Sequence, residues 1–186
     1  NTCICKLTPS PRHPAGRYLE TNMIISESKK KIDNSEDINK ILCAILKSES
    51  DIEFDKEHFW VIGTNVKNVI QYIDLAFLGS LSSCVVHPRE TFRLAILKGV
   101  AAIFIAHNHP GGCSQPSRED EIITKRLVEA GKILGIYVLD HVIITGGEEY
   151  YSFNSSVGMG NLSQKGDYNN VYRKKRGKNR ALDQCR

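Results

Sequence analysis

The chain has 186 residues, about the size of one domain, with 41% apolar residues and an ordinary 25% charged residues. Its net charge of +4 is unevenly placed: from Lys165 to Arg186 eight Lys and Arg stand against two Asp, a local +6, so the preceding 164 residues sum to −2. That balance excludes a uniformly basic domain and describes a near-neutral globular body with a basic tail.

The longest apolar run, Val100 to Ala106, is far short of the roughly 20 residues that span a bilayer, so no membrane partner is expected. The N-terminus lacks a basic segment followed by an apolar one and does not read as a secretory signal. The absence of an initiator methionine is what a fragment or a processed chain would have. Six cysteines, at 3, 5, 43, 84, 113 and 185, contain no Cys-x-x-Cys pair. Cys43 and Cys84 sit in apolar surroundings as core thiols, and a reduced, cytoplasmic compartment is expected.

Residues 1–32 carry three prolines (Pro9, Pro11, Pro14) and the run Lys29-Lys30-Lys31, without an apolar period, and read as an extended or poorly ordered segment. Ile38, Ile41, Leu42, Ile45 and Leu46 then recur at helical spacing, with Asn34 or Ser35 as N-cap. Residues 57–63 and 69–77, rich in β-branched and aromatic side chains, predict two strands joined by a turn over Asn65 to Asn68. Pro88 suits the first turn of a helix to about Lys98 that buries Phe92, Ala95 and Ile96.

Val100 to Ala106 predicts a strand buried on both faces. A helix over Ser117 to Leu134 follows, with Ile123, Leu127, Ala130 and Leu134 as its inner stripe and Gly135 ending it. Two strands near 136–144 and 149–153 are joined through Gly146-Gly147. This order predicts an α/β fold, a mixed sheet with helices packed on it. Beyond Ser155 the chain is polar and basic, and residues 155–186 read as a disordered tail.

The chemistry gathers at the end of the buried strand. His107 and His109 alternate on an extended chain and so aim at one point. Two neutral imidazoles suit Zn²⁺, and a catalytic site adds a third protein ligand and a water. Asp120, in the first turn of the next helix, can supply that ligand if the loop containing Pro110, Gly111, Gly112 and Pro116 folds back over the strand. Ser117-x-x-Asp120 also resembles a capping box, in which Asp120 does no more than bond back to the helix start. Ser117 can do both jobs. Cys113 would have to displace one of the three ligands to act as a zinc thiolate, and is not expected to.

The spacing His107-x-His109, seven residues, Ser117, two residues, Asp120 resembles the JAMM/MPN+ metalloprotease signature. The blocks His87-Pro-Arg-Glu90, Ala106-His-Asn-His-Pro-Gly111, Pro116-Ser-Arg-Glu-Asp120 and Leu139-Asp-His-Val142 resemble those of the RadC family over residues 33–154. Gly112 stands where that family often has serine before glycine, which leaves the ligand spacing intact. The resemblance implies a cytidine-deaminase-like (JAB/MPN) α/β fold, one Zn²⁺ per chain, and a catalytic Glu just before the first strand, the place Glu57 occupies. Asp74 and Glu90 are weaker rivals for that role. The resemblance also gives Ser117 a part in orienting a carbonyl oxygen. Asp140-His141 reads as structural or as support for the metal ligands.

These residues imply a zinc-dependent peptidase or isopeptidase acting on a peptide or protein substrate. The competing reading is a nucleic-acid-associated factor with a structural or vestigial zinc site, its role in DNA repair or recombination implied by the RadC resemblance, gripping phosphates through Arg173, Lys174, Lys175 and Arg176 after Tyr168 and Tyr172. A nucleoside deaminase is set aside, because His-x-Glu and Pro-Cys-x-x-Cys are absent. A metal-free scaffold is disfavoured by the presence of all three ligands.

Overall fold

A computed structural model describes residues 6–9, 19–22, 31–47, 56–79 and 86–162. Within the stretch expected to be poorly ordered, β1 (Lys6–Pro9) and β2 (Leu19–Asn22) pair antiparallel. Cys84 and residues 163–186, with Arg173, Lys174, Lys175 and Arg176, lie outside the described residues, whereas residues 155–162, expected to begin a disordered tail, take part in two short helical turns with Met159 buried.

Helix α1 (Ser35–Leu46) starts at a capping box: the Asn34 side chain accepts from the Asp37 N–H, and the Asp37 carboxylate accepts from the Asn34 N–H. Its apolar stripe, Ile38, Leu42, Ile45 and Leu46, is buried against the sheet as the periodicity predicts. Strands β3 (His58–Thr64) and β4 (Ile70–Leu78) form the expected hairpin, with Asn68 left-handed at φ 58° in the turn. Gly63 has no substitute there, because the Tyr72 ring occupies the space a Cβ would fill.

Helix α2 (Pro88–Lys98) begins at Pro88 and buries Phe92 and Ala95. Ile96 does not join them: it is exposed beside Leu97, one position round the helix from the Phe92–Ala95 line. Gly99 closes the helix in a left-handed conformation, and the Val100 N–H bonds back to the Ala95 carbonyl. That bond is why the next strand does not start at Val100. β5 runs Ala102–Asn108, and His107 belongs to the strand rather than lying beyond it.

Helix α3 (Arg118–Leu134) buries Asp120, Thr124, Leu127, Val128 and Gly131. The inner face is therefore rotated from the expected stripe: Leu127 is at its centre, Ile123 and Ala130 are at its edge, and Leu134 is exposed. The reason is polar. The face that meets the sheet carries Asp120 and Thr124, which an apolar count cannot register. Gly131 lets α3 press onto the chain that follows, since a Cβ there would stand 2.5 Å from the Ile136 carbonyl oxygen. Then come β6 (Tyr137–Ile144), β7 (Tyr150–Ser152) and the short helices α4 (Phe153–Ser156) and α5 (Met159–Leu162).

The five-stranded sheet has the order β4-β3-β5-β6-β7. β5 and β6 are parallel, joined across α3, and every other pairing is antiparallel. β3 and β5 are buried along their whole length, as central strands covered on both faces must be. One face packs Trp60, Ile62, Phe104 and Val142 against α1. The other packs Phe59, Val61, Ile105 and Ile143 against α2 and α3. This is the mixed sheet flanked by helices that the sequence predicts.

Candidate metal centre

β5 pairs with β6 on one side and β3 on the other, which sets what surrounds its C-terminal end. His107 lies opposite Phe59 of β3 and Ile143 of β6, on the sheet face covered by α3. His109 follows two residues on, anchored by its N–H to the Ile144 carbonyl. The loop after it returns the chain to Ser117, whose side chain accepts from the Asp120 N–H while its own N–H and hydroxyl donate to Asp120 Oδ2. The capping box is therefore real. It also holds the Asp120 carboxylate still, facing the histidines.

The three side chains converge. His107 Nε2 is 3.0 Å from His109 Nε2 and 3.2 Å from Asp120 Oδ1, and His109 Nε2 is 3.5 Å from Asp120 Oδ2. Together they can hold a metal ion, and no other cluster of this kind occurs among the described residues. His107 and Asp120 are sealed from solvent, whereas His109 remains partly open.

The electrostatics suit a cation. Burial pushes Asp120 up, but hydrogen bonds with His107 and His109 outweigh it and hold the carboxyl far below the usual range. Burial lowers His107, with Asp120 only partly offsetting it. Burial also opposes a charge on His109, yet the bonds to Asp120 and to the Cys113 carbonyl win and raise it. Both histidines touch the same carboxylate. They move oppositely because His107 is fully desolvated and His109 is not.

Glu57 directly precedes β3, and extending the β3–β5 register places it level with His109. Its charge raises both histidines. Two features that hold it went unread in the sequence. Asn108, between the ligands, faces the other way and brackets Glu57: its Oδ1 accepts from the His58 N–H at 2.6 Å, and its Nδ2 donates to the Lys56 carbonyl at 3.0 Å. The Glu57 carbonyl in turn accepts from Gly79. Alternation along β5 is the signal that could have shown Asn108 pointing away from the site. The rivals sit elsewhere. Asp74 lies opposite Val61, with the Arg93 charge acting on it, and Glu90 pairs with Arg89 and Arg93 at the surface.

Of the pair Asp140-His141, expected to be structural or to support the metal ligands, His141 stands beside His107, and Thr124, which the sequence did not single out, stands behind it. His141 Nε2 lies 2.8 Å from His107 Nδ1, and its Nδ1 lies 2.5 Å from Thr124 Oγ1. The His141 ring is stacked on Phe153 and meets the edge of Phe59. Asp140 points to the opposite face, so the pair Asp140-His141 divides its work. Cys113 offers the site its carbonyl, 2.7 Å from His109 Nδ1, and its sulfur is disulfide-bonded, which departs from the expected reduced thiols. Cys43 is free and buried, as expected.

Fold and site together define an α/β domain with a cluster of two histidines and one carboxylate, able to hold a metal ion, at the end of a central strand. Residues 32–159 match the RadC-like JAB domain, and the chain belongs to that family. It is 53% identical over 105 residues to a UPF0758 protein of Caldanaerobacter subterraneus, covering 53% of this chain and 45% of that one. It is 54% identical over 97 residues to a UPF0758 protein of Listeria welshimeri, covering 52% and 43%. With a UPF0758 protein of Methanosarcina mazei the match is 39% over 131 residues, 70% of this chain and 54% of the relative. The chain thus spans about half the length of these relatives. No helix among the described residues is long and apolar enough to cross a membrane.

Proposed function

We propose that this domain is a zinc-dependent hydrolase of amide bonds, a peptidase or isopeptidase, with His107, His109 and Asp120 as the metal ligands and Glu57 as proton shuttle. The observation that carries it is the convergence of the three ligands. Ligands about 2.0–2.1 Å from a tetrahedral ion lie roughly 3.3 Å from one another. His107 Nε2 lies 3.0 Å from His109 Nε2 and 3.2 Å from Asp120 Oδ1, close to that value, while His109 Nε2 meets the other carboxylate oxygen, Oδ2, at 3.5 Å. Two imidazoles and a carboxylate match zinc by donor type and leave a fourth position for water.

When bound, zinc supplies Lewis acidity, polarising a carbonyl and lowering the pKa of water. Glu57 takes the proton of the attacking water and delivers it to the leaving amine as the C–N bond breaks. Asn108 keeps the β3 entry in place, so that Glu57 stays level with the partly open His109. Ser117 stands exposed at the mouth of the site. Its hydroxyl serves Asp120 first, and steering a substrate carbonyl requires it to exchange that bond.

Metal analysis tests the reading. Purified protein carries about one zinc per chain, and His109→Ala loses it. Glu57→Gln keeps the zinc and loses hydrolysis of the peptides that the wild type cleaves in a proteomic comparison. A wild type that binds no zinc refutes the proposal.

A further inference from the structure

Thr124 Oγ1 donates its single proton to the main-chain carbonyl of Asp120, 2.5 Å away and four residues back in α3. Toward His141, also 2.5 Å away, that oxygen can only accept. His141 Nδ1 therefore carries a hydrogen. The His141 ring is wholly buried between Phe153 and Phe59, and neither of its nitrogens meets a carboxylate, so the neutral form is the one its site can hold. A neutral imidazole with Nδ1–H has a bare Nε2. That Nε2 accepts from His107 Nδ1 at 2.8 Å, so His107 keeps a hydrogen on Nδ1, and Nε2, facing His109 and Asp120, is the nitrogen that gives up its hydrogen to a metal ion. His109 reaches the same state by a shorter route, because its Nδ1 faces the Cys113 carbonyl, which accepts only.

We propose that His141, oriented by Thr124, is a positioning residue that fixes the tautomer of His107 and thereby sets how tightly the centre holds its metal. The proposal rests on the metal-site reading above and adds a specific device to it. A histidine ligand usually has its second nitrogen fixed by a carboxylate or a carbonyl. Here a second histidine does it, and that histidine needs a tautomer lock of its own. The lock ends on the backbone of Asp120, so three hydrogen bonds tie one ligand residue to another through the inside of the protein.

Four variants and one measurement on the wild type test it. His141→Phe keeps a ring between Phe153 and Phe59 but offers no acceptor, whereas His141→Gln restores a carbonyl near the lost nitrogen. Thr124→Val keeps the shape and removes the hydroxyl, and Thr124→Ser retains it. Zinc affinity, measured by competition with a chelator, should fall about 10–100-fold in His141→Phe and Thr124→Val. In His141→Gln and Thr124→Ser it should stay close to wild type. Long-range proton–nitrogen NMR of the metal-free wild type should show a proton on His107 Nδ1, with or without a second one on Nε2 toward Asp120, a readout that needs no variant to fold. Wild-type affinity in both His141→Phe and Thr124→Val, with His109→Ala still losing zinc, overturns the proposal and spares the metal site. A wild type without zinc removes the metal-site reading, and the spectrum still judges this one: a His107 Nδ1 that carries no proton overturns it.

Discussion

Asp140 and His141 are neighbours on β6, both polar and both sealed from water, yet they serve opposite faces of the sheet in opposite ways. Asp140 faces α1. Its oxygens accept from the hydroxyls of Ser35 and Ser152, both at 2.6 Å, and from the N–H groups of His141 and Asn154, both at 2.8 Å. That carboxylate ties α1, β7 and α4 to the central sheet, and its hydrogen-bonding capacity is used up within the fold. His141 faces α3 and passes its bonds outward to His107, whose second nitrogen points into the His107, His109 and Asp120 cluster. Burial does not distinguish a structural polar residue from a functional one. What distinguishes them is whether the hydrogen-bond chain closes on itself or ends at a group left open.

The largest expected effect breaks the closed side. Asp140→Ala strands two hydroxyls and two amides, and should cost about 3–5 kcal/mol of stability in denaturant melts. Zinc affinity of the remaining folded protein should be unchanged, and a matching loss of zinc would erase the contrast between the faces.

The next effect is in pH. Burial raises Asp140 to about 6, with its hydrogen bonds pulling against it. The unfolded value is near 3.9. A raised folded value means the folded state binds the proton more readily. This residue's contribution is therefore fully present below about pH 4 and lost as pH rises through 6, a change of roughly 2–3 kcal/mol. The stability difference between wild type and Asp140→Asn, measured at pH 4 and pH 7, should show that drift in favour of the wild type at low pH. A difference independent of pH would contradict it.

Gly131→Ala sharpens the comparison from the open side. Its Cβ would meet the Ile136 carbonyl and push α3 from β6. A loss of about 1–3 kcal/mol is expected. Unlike Asp140→Ala, it should weaken zinc as well, because Asp120 and Thr124 ride on that helix. Ser117→Ala is the smallest change. Losing the N-cap should cost about 1 kcal/mol in thermal unfolding, with a modest fall in zinc affinity as Asp120 Oδ2 loses its closest donor. An Ala variant as stable as wild type would mean that the cap is idle.

Much of this was legible in the chain. The period of α1, the hairpin around Asn65 to Asn68 and the caps at Asn34, Ser117 and Gly135 are local signals, and each appears where residue type and spacing put it. The inner face of α3 was misread because its deepest positions include Asp120 and Thr124, which hydrophobic counting passes over. The start of β5 was misread because the Val100 amide is spent on closing α2.

The sequence by itself determined that His107, His109 and Asp120 come together as a group able to hold a metal ion, since alternation on a strand and a capped helix start place them by short-range geometry. Only the tertiary structure decided which groups serve those ligands. His141 reaches His107 across 34 residues, and Asn108 reaches the flanks of Glu57 across 50 and 52. Strand order and register create those contacts, and no local pattern encodes them.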